Sequence, residues 1–207
     1  MACAGEGRIN LIIGRSLTKN NLTTCEGLGD MLRVNSTLRE LYLTDNQIGD
    51  HVQEWCEALG SNLGLHGLYL EQNGISTCAA LVAGLRNNTS LLFLDLSENS
   101  LVNVDCVADH LARPSCPLVQ LSLDLNQIES CASIGKALRT NQKLEELRLK
   151  NNKLRHGLEE LSEGIAASPH RRLESLHISS NDFSDSEKEA FKQKLLVLPR
   201  PKPKLWE

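Results

Sequence analysis

One eleven-residue pattern, L-x-x-L-x-L-x-x-N-x-L, recurs six times along the chain with little variation. The copies are LRELYLTDNQI from Leu38, LHGLYLEQNGI from Leu65, LLFLDLSENSL from Leu91, LVQLSLDLNQI from Leu118, LEELRLKNNKL from Leu144 and LESLHISSNDF from Leu173. A degraded seventh copy, IIGRSLTKNNL, starts at Ile12 and has Arg15 where a leucine is expected. The asparagines of the pattern are Asn20, Asn46, Asn73, Asn99, Asn126, Asn152 and Asn181, spaced 26, 27, 26, 27, 26 and 29 residues apart. A unit that short cannot bury its own apolar face, so successive units must stack and share one continuous core.

Within each copy the L-x-L alternation has the period of a strand, with leucines facing inward and the x residues outward. The asparagine stands where the chain turns, and its amide can satisfy backbone groups that the turn leaves buried. The second halves of the repeats switch to helical spacing. Val52, Trp55, Cys56 and Leu59 fall on one face, as do Cys78, Leu81, Val82 and Leu85, and again Cys131, Ile134 and Leu138. Strands stack at about 4.8 Å while helix axes stand roughly 8–10 Å apart, so a strand–helix repeat curves with its strands inside. The expected fold is an α/β solenoid: an open horseshoe arc of about seven repeats, with a concave parallel sheet and convex helices.

These residues identify the chain as similar to leucine-rich-repeat proteins over nearly its whole length. The repeat length and the helical second halves resemble the ribonuclease-inhibitor subtype, as in the repeat domains of NOD-like receptors, Ran GTPase activators and tropomodulins. The stretch RPSCPLVQLSL, Arg113 to Leu123, resembles linkers between NOD-like receptor repeats. The resemblance implies an interaction protein. It also leaves open a regulator of an enzyme, either a hydrolase inhibitor or a small-GTPase activator, or the ligand-sensing repeats of a larger NOD-like receptor. Ran GTPase activators are expected to end in a long acidic tail, whereas this chain ends basic.

Domain organisation derives from the repeat. Residues 1–8 form a short small and polar N-terminal segment, and residues 9–183 the solenoid. Residues 184–198 read as a C-terminal capping helix, because Ser184 with Glu187 three positions on is a capping-box pattern. Residues 199–207, with Pro199, Pro201 and Pro203 alternating with Arg200, Lys202 and Lys204, read as a basic, loosely ordered tail or a short docking peptide. The N-terminal end has no comparable cap. Either the first strand edge is exposed or the chain is cut from something larger; the starting Met and short N-terminus favour a complete small protein.

Composition bounds the partners. Hydrophobic residues make up 41% of the 207 and aromatics only 3%, so the core must be aliphatic. The net charge is −4 with charges interspersed, and no Lys/Arg cluster of the kind that binds phosphate is present, which argues against nucleic acid and anionic membranes. The opening MACAGEGRINLIIG lacks the basic and long apolar regions of a signal peptide, and no stretch approaches the roughly 20 apolar residues of a membrane span. Seven cysteines, an odd number, then point to a reducing compartment, the cytoplasm or alternatively the nucleus. Cys25, Cys78 and Cys131, each five residues after a pattern asparagine, read as small buried hydrophobes rather than redox sites. The glycosylation-type triplets at Asn21, Asn35, Asn87 and Asn88 read as bare turn residues.

No catalytic signature is present: no phosphate-binding G-x-x-x-x-G-K-[ST], no G-x-S-x-G, no H-E-x-x-H and no C-x-x-C. The six histidines are scattered, without metal-site spacing, so no enzyme, cofactor or metal is expected. The outward positions carry more information. The middle column, the x of L-x-L, reads Ser16, Tyr42, Tyr69, Asp95, Ser122, Arg148, His177. The column before it includes Glu40, Gly67 and Phe93; the column after it includes Glu71 and Asp124; the one ahead of the asparagine includes Asp45, Glu98 and Leu125. Tyr42 and Tyr69, the only tyrosines, become neighbours, with Gly67 leaving space beside the ring and Phe93 one repeat on. Glu71, Asp95, Glu98 and Asp124 surround them, with Glu40 and Asp45 at the near edge. These nine residues form the candidate site for a protein or basic peptide on the concave face, since tyrosine favours interface hot spots and an acidic field steers a basic partner. Cross-strand aromatic packing alone is the competing reading. Trp55 and Phe183 read as core.

Overall fold

The computed structural model describes residues 14–25, 27–168, 172–198 and 203–206. Its strands are three residues each: β1 (Gly14–Ser16), β2 (Glu40–Tyr42), β3 (Gly67–Tyr69), β4 (Phe93–Asp95), β5 (Gln120–Ser122), β6 (Glu146–Arg148), β7 (Ser175–His177) and β8 (Lys204–Trp206). They form a single parallel sheet in sequential order from β1 to β8, with its two ends unjoined. Between them lie α1 (Leu28–Val34), α2 (Gln53–Leu59), α3 (Ala79–Gly84), α4 (Asp105–Leu111), α5 (Ala132–Leu138), α6 (Leu158–Ala167) and α7 (Asp185–Leu196). The result is seven strand–helix units and an eighth strand. Register advances one repeat at a time, so Tyr42 pairs with Tyr69, Tyr69 with Asp95 and Arg148 with His177.

The core is the continuous leucine ladder expected from the pattern. Leu41, Leu68 and Leu147 are fully buried, and Val52, Trp55, Cys56 and Leu59 of the second repeat pack behind them. Cys25, Cys78 and Cys131 are all buried, as is Phe183. In β1 the leucine position holds Arg15, and all three of its residues are exposed. Residues 1–13, including the proposed N-terminal segment, lie outside the described residues.

The asparagine ladder is built of bidirectional amides. The Asn99 side-chain nitrogen donates to the Leu70, Leu96 and Ser97 carbonyls, at 2.9–3.0 Å. Its oxygen accepts from the backbone N–H of Asn73 and Ile75 at 3.1 and 3.0 Å. One side chain thus closes its own turn and fastens the previous one. The residue before each asparagine takes a left-handed conformation: Lys19, Asp45, Gln72, Glu98, Leu125, Asn151 and Ser180 all have φ between 53° and 60°.

A second asparagine ladder, not anticipated, runs where each helix returns to the next strand. Asn62 donates to the Leu32 and Asn35 carbonyls and accepts from the Gly64 and Leu65 N–H groups. Asn88 and Asn141 repeat the arrangement, and Asn35 accepts from Thr37 and Leu38. Two of the glycosylation-type triplets, those at Asn35 and Asn88, therefore serve the fold, and Asn88 is buried.

The capping box is present: the Ser184 hydroxyl accepts from the Glu187 N–H, and the Glu187 carboxylate accepts from the Ser184 N–H at 2.9 Å. Beyond α7 the chain departs from the loosely ordered tail read from sequence. Lys204, Leu205 and Trp206 pair in parallel register with Ser175, Leu176 and His177, because Leu205 supplies the inward apolar residue that packs against the core. The rest of the tail, residues 199–202 and Glu207, lies outside the described residues. Among the described residues no helix is long and apolar enough to cross a membrane.

Asn99→Ala should destabilise the chain by about 2–4 kcal/mol, because several buried backbone groups lose their partners together. Exposed Gln72→Ala next to the preceding ladder asparagine should change stability by less than about 0.5 kcal/mol. Urea unfolding of the two variants checks the contrast.

Candidate functional site on the concave sheet

The three-residue strands leave every outward side chain on one shallow surface, and the middle column sets its character. Tyr42 and Tyr69 stack with ring centroids 4.4 Å apart and planes 5° from parallel. The spacing is near the roughly 4.8 Å between strands, so the sheet itself holds the rings in contact. The space beside Gly67 is not vacant: Tyr69 folds back over it, and a Cβ there would stand 2.9 Å from Tyr69 Cε2. Glycine at this position is what lets the ring lie down. The Tyr42 hydroxyl donates to the Glu40 carboxylate at 2.7 Å. That hydrogen bond, with burial and the neighbouring Tyr69, pushes the Tyr42 phenol well above its ordinary range, and burial likewise raises Tyr69.

Beyond the stack the surface opens into a hollow of about 420 Å³. Six of the nine candidate residues line it: Tyr69, Glu71, Phe93, Asp95, Glu98 and Asp124, joined by Gln120, Ser122, Leu125, Glu146 and Arg148. Tyr42, Glu40 and Asp45 stand on the near side, where Asp45 faces Lys19 at 3.7 Å across solvent, a separation and exposure that contribute little. Glu71 and Asp95 both have raised pKa values, first from burial and then from a neighbouring carboxylate, Asp95 acting on Glu71 and Asp124 on Asp95, with the Ser97 hydrogen bonds opposing the shift at Asp95. Negative charge is therefore held here short of compensation. Glu98 is exposed at the rim.

Asp124 differs from its expected place in an open acidic rim. It is only 7% exposed, accepts from Arg148 Nε at 2.9 Å and from the Lys150 N–H at 2.6 Å, and forms an ion pair with Arg148 Nη2 at 2.9 Å. The cause is reach: Arg148 sits one strand beyond Ser122, whose small side chain leaves the guanidinium room to bridge back. Arg148 also lies 3.6 Å from Glu146. The far wall of the hollow is thus a neutralised pair, and its excess negative charge resides on Glu71, Asp95 and Glu98.

Leu125 is not among the nine, yet it is the most unusual residue of the rim. It is the one apolar side chain in the left-handed column, has φ 56° and is 48% exposed. A branched side chain there is strained and also presents apolar surface to solvent. The signal was available in the sequence, since its column neighbours are all polar.

A leucine-rich-repeat family model matches residues 34–51, described as Leucine Rich repeat. The mouse ribonuclease inhibitor is 36% identical over 168 residues, covering 76% of this chain and 36% of that protein. The rat NACHT, LRR and PYD domains-containing protein 3 is 33% identical over 138 residues, covering 63% of this chain and 13% of the relative. Among solved structures, an internalin C2 from Listeria monocytogenes superposes with a TM-score of 0.55 at 23% identity, covering 95% of this chain and 79% of that one, which speaks to the fold. The chain belongs to the leucine-rich-repeat proteins, of the ribonuclease-inhibitor-like type. It spans well under half the length of the curated relatives it matches.

Two measurements probe the site without a partner. In an alkaline absorbance titration both phenols should ionise above the ordinary value near 10, and Glu40→Gln should bring Tyr42 down by removing the first cause of its shift. Because the folded-state value is raised, the stabilisation is present below pH 10 and is lost as pH rises beyond it. Leu125→Asn should leave stability unchanged or raise it by about 0.5–1 kcal/mol, since asparagine tolerates this backbone conformation; thermal unfolding reads the sign.

Proposed function

We propose that the chain is a non-enzymatic interaction scaffold whose concave face binds a protein or peptide with a basic surface. The observation that carries this reading is the tyrosine stack opening directly into a hollow whose carboxylates Glu71, Asp95 and Glu98 outnumber the one guanidinium beside them, itself engaged by Asp124. Tyr42, Tyr69 and Phe93 supply rigid, amphipathic contact area at low entropic cost. An arginine or lysine of the partner fits the hollow, its aliphatic stem against Phe93 and Leu125 and its charge among the carboxylates. The leucine at position 125 then has a reason that the fold alone does not supply. Packing of the tyrosines against each other adds to the sheet in the same geometry, by roughly 0.2–1 kcal/mol, and does not account for the hollow. The unbridged Cys56, Cys78, Cys106, Cys116 and Cys131 suit a reducing compartment such as the cytoplasm or nucleus.

A second reading is inhibition of a ribonuclease. The 36% identity to a protein named ribonuclease inhibitor favours it, though the alignment spans only 36% of that relative. Small-GTPase activation and sensing within a NOD-like receptor rest on resemblance alone.

Tyr42→Ala combined with Tyr69→Ala should weaken binding of a captured partner at least ~10-fold, while Glu71→Lys with Glu98→Lys should slow association and flatten its salt dependence. Quantitative affinity capture, with titration of the captured partner, makes the comparison. Equal affinity for all forms overturns the concave site. Undiminished ribonuclease activity in the presence of excess chain sets aside the second reading.

A further inference from the structure

In the helical layer of the third and fourth repeats, two of the repeats whose strands line the hollow, two thiols meet. Cys78 is the residue just before α3 and Cys106 the second residue of α4. Their sulfurs are 2.8 Å apart, although 28 residues separate them in sequence. Cys78 is buried and Cys106 half-buried. The other described cysteines differ. The Cys56 thiol donates to the Val52 carbonyl, the Cys131 thiol to the His156 carbonyl, and burial holds both up at about 12; Cys116, also buried, stands at about 11. Cys106 is drawn down, first by its hydrogen bond with Cys78, while Cys78 is raised by the same bond. The half-buried Cys106 is therefore the accessible thiol and the buried Cys78 its sheltered partner, the pairing that two-cysteine oxidation uses.

We infer that Cys78 and Cys106 form a reversible oxidation site, taking a two-electron oxidant of the hydroperoxide class, whose product is a disulfide joining the third and fourth repeats. The Cys106 thiolate attacks one peroxide oxygen; the O–O bond breaks, hydroxide leaves and takes up a proton as water, and the sulfur becomes a sulfenic acid. The Cys78 sulfur then attacks that sulfenic sulfur. The S–S bond forms, the S–O bond breaks, and the departing hydroxide carries off the Cys78 proton as a second water. The two thiols are oxidised by two electrons and the peroxide reduced by two. From 2.8 Å the sulfurs have to close to the bonding distance of about 2.05 Å. The bond would fasten the helical layer at the repeats whose strands present Tyr69 and Phe93, so oxidation and the shape of the hollow are mechanically linked. The inference stands on the thiol geometry and does not require the proposed binding role.

Sequence pattern alone reads Cys78 as a small buried hydrophobe. That holds for Cys25 and Cys131, which are likewise buried. Cys106 falls in no repeated position, so the spacing of the pattern does not bring it to Cys78; the packing of α4 against the preceding repeat does.

The full chain is treated with stoichiometric hydrogen peroxide, blocked with iodoacetamide, digested without reduction and mapped by mass spectrometry. A crosslinked peptide pair containing Cys78 and Cys106 is expected, in a monomer that has lost two hydrogens, reversed by dithiothreitol. The oxidised monomer should unfold about 5–10 °C higher than the reduced one. Half-buried Cys106→Ser should abolish the crosslink, while Cys78→Ser should leave Cys106 as a dimedone-reactive sulfenic acid. If oxidation falls on Cys25 or Cys116 in the wild-type chain while Cys78 and Cys106 both remain alkylatable, the inference is overturned, whatever the variants do.

Discussion

Each turn that ends a strand leaves backbone carbonyls and N–H groups sealed between two repeats, and one asparagine amide per repeat satisfies them. Asn46, Asn73, Asn99, Asn126 and Asn152 are each at least nine-tenths buried, where an unmade hydrogen bond costs about 1–3 kcal/mol. Since each amide reaches both its own turn and the preceding repeat, it sets the register between units as well as closing the loop. Helices as short as α2 or α5 are marginal in isolation and exist because the sheet registers them; the second ladder through Asn62, Asn88 and Asn141 fixes where they return to it. Close approaches seal the helical layer: a Cβ on Gly164 would lie 1.9 Å from the Gly135 carbonyl oxygen, so the α5–α6 contact tolerates only glycine.

Register, once fixed, turns sequence columns into surface. A strand of three residues presents two outward positions per repeat and the adjoining turn supplies two more, so chemistry on the concave face depends on which residue types fall in those columns. The columns here are uneven. The near half is aromatic and acidic, with the Tyr42–Tyr69 stack opening on Glu71, Asp95 and Glu98, and the far half is crossed by the Arg148–Asp124 pair. The boundary lies within the hollow, where Leu125 stands exposed in a conformation leucine disfavours.

The fold was legible because repetition averages out local ambiguity: a three-residue strand such as Leu94 with its neighbours carries little signal alone, but six in-phase copies identify it. The columns were legible for the same reason, since register in a parallel stack is set by the period. Side-chain reach was not. Nothing in the spacing says that Arg148 turns back across Ser122 to bury Asp124, that Tyr69 lies down over Gly67, or that Cys106 meets Cys78. Those depend on rotamers and on helix packing between repeats. The eighth strand at Lys204–Trp206 escaped because prolines precede it and the pattern asparagine is missing, leaving one inward leucine as the only cue.

Carboxylate footprinting of the chain with and without a bound partner tests the concave face most directly. Carbodiimide coupling of an amine to each exposed Asp and Glu, quantified by peptide mapping, should show Glu71, Asp95 and Glu98 protected on binding while Glu163 and Glu189, on α6 and α7 of the helical layer, label as before. Protection of the helical carboxylates with Glu71, Asp95 and Glu98 unchanged would place the partner on the convex side and contradict the assignment of the aromatic–acidic columns as the binding face.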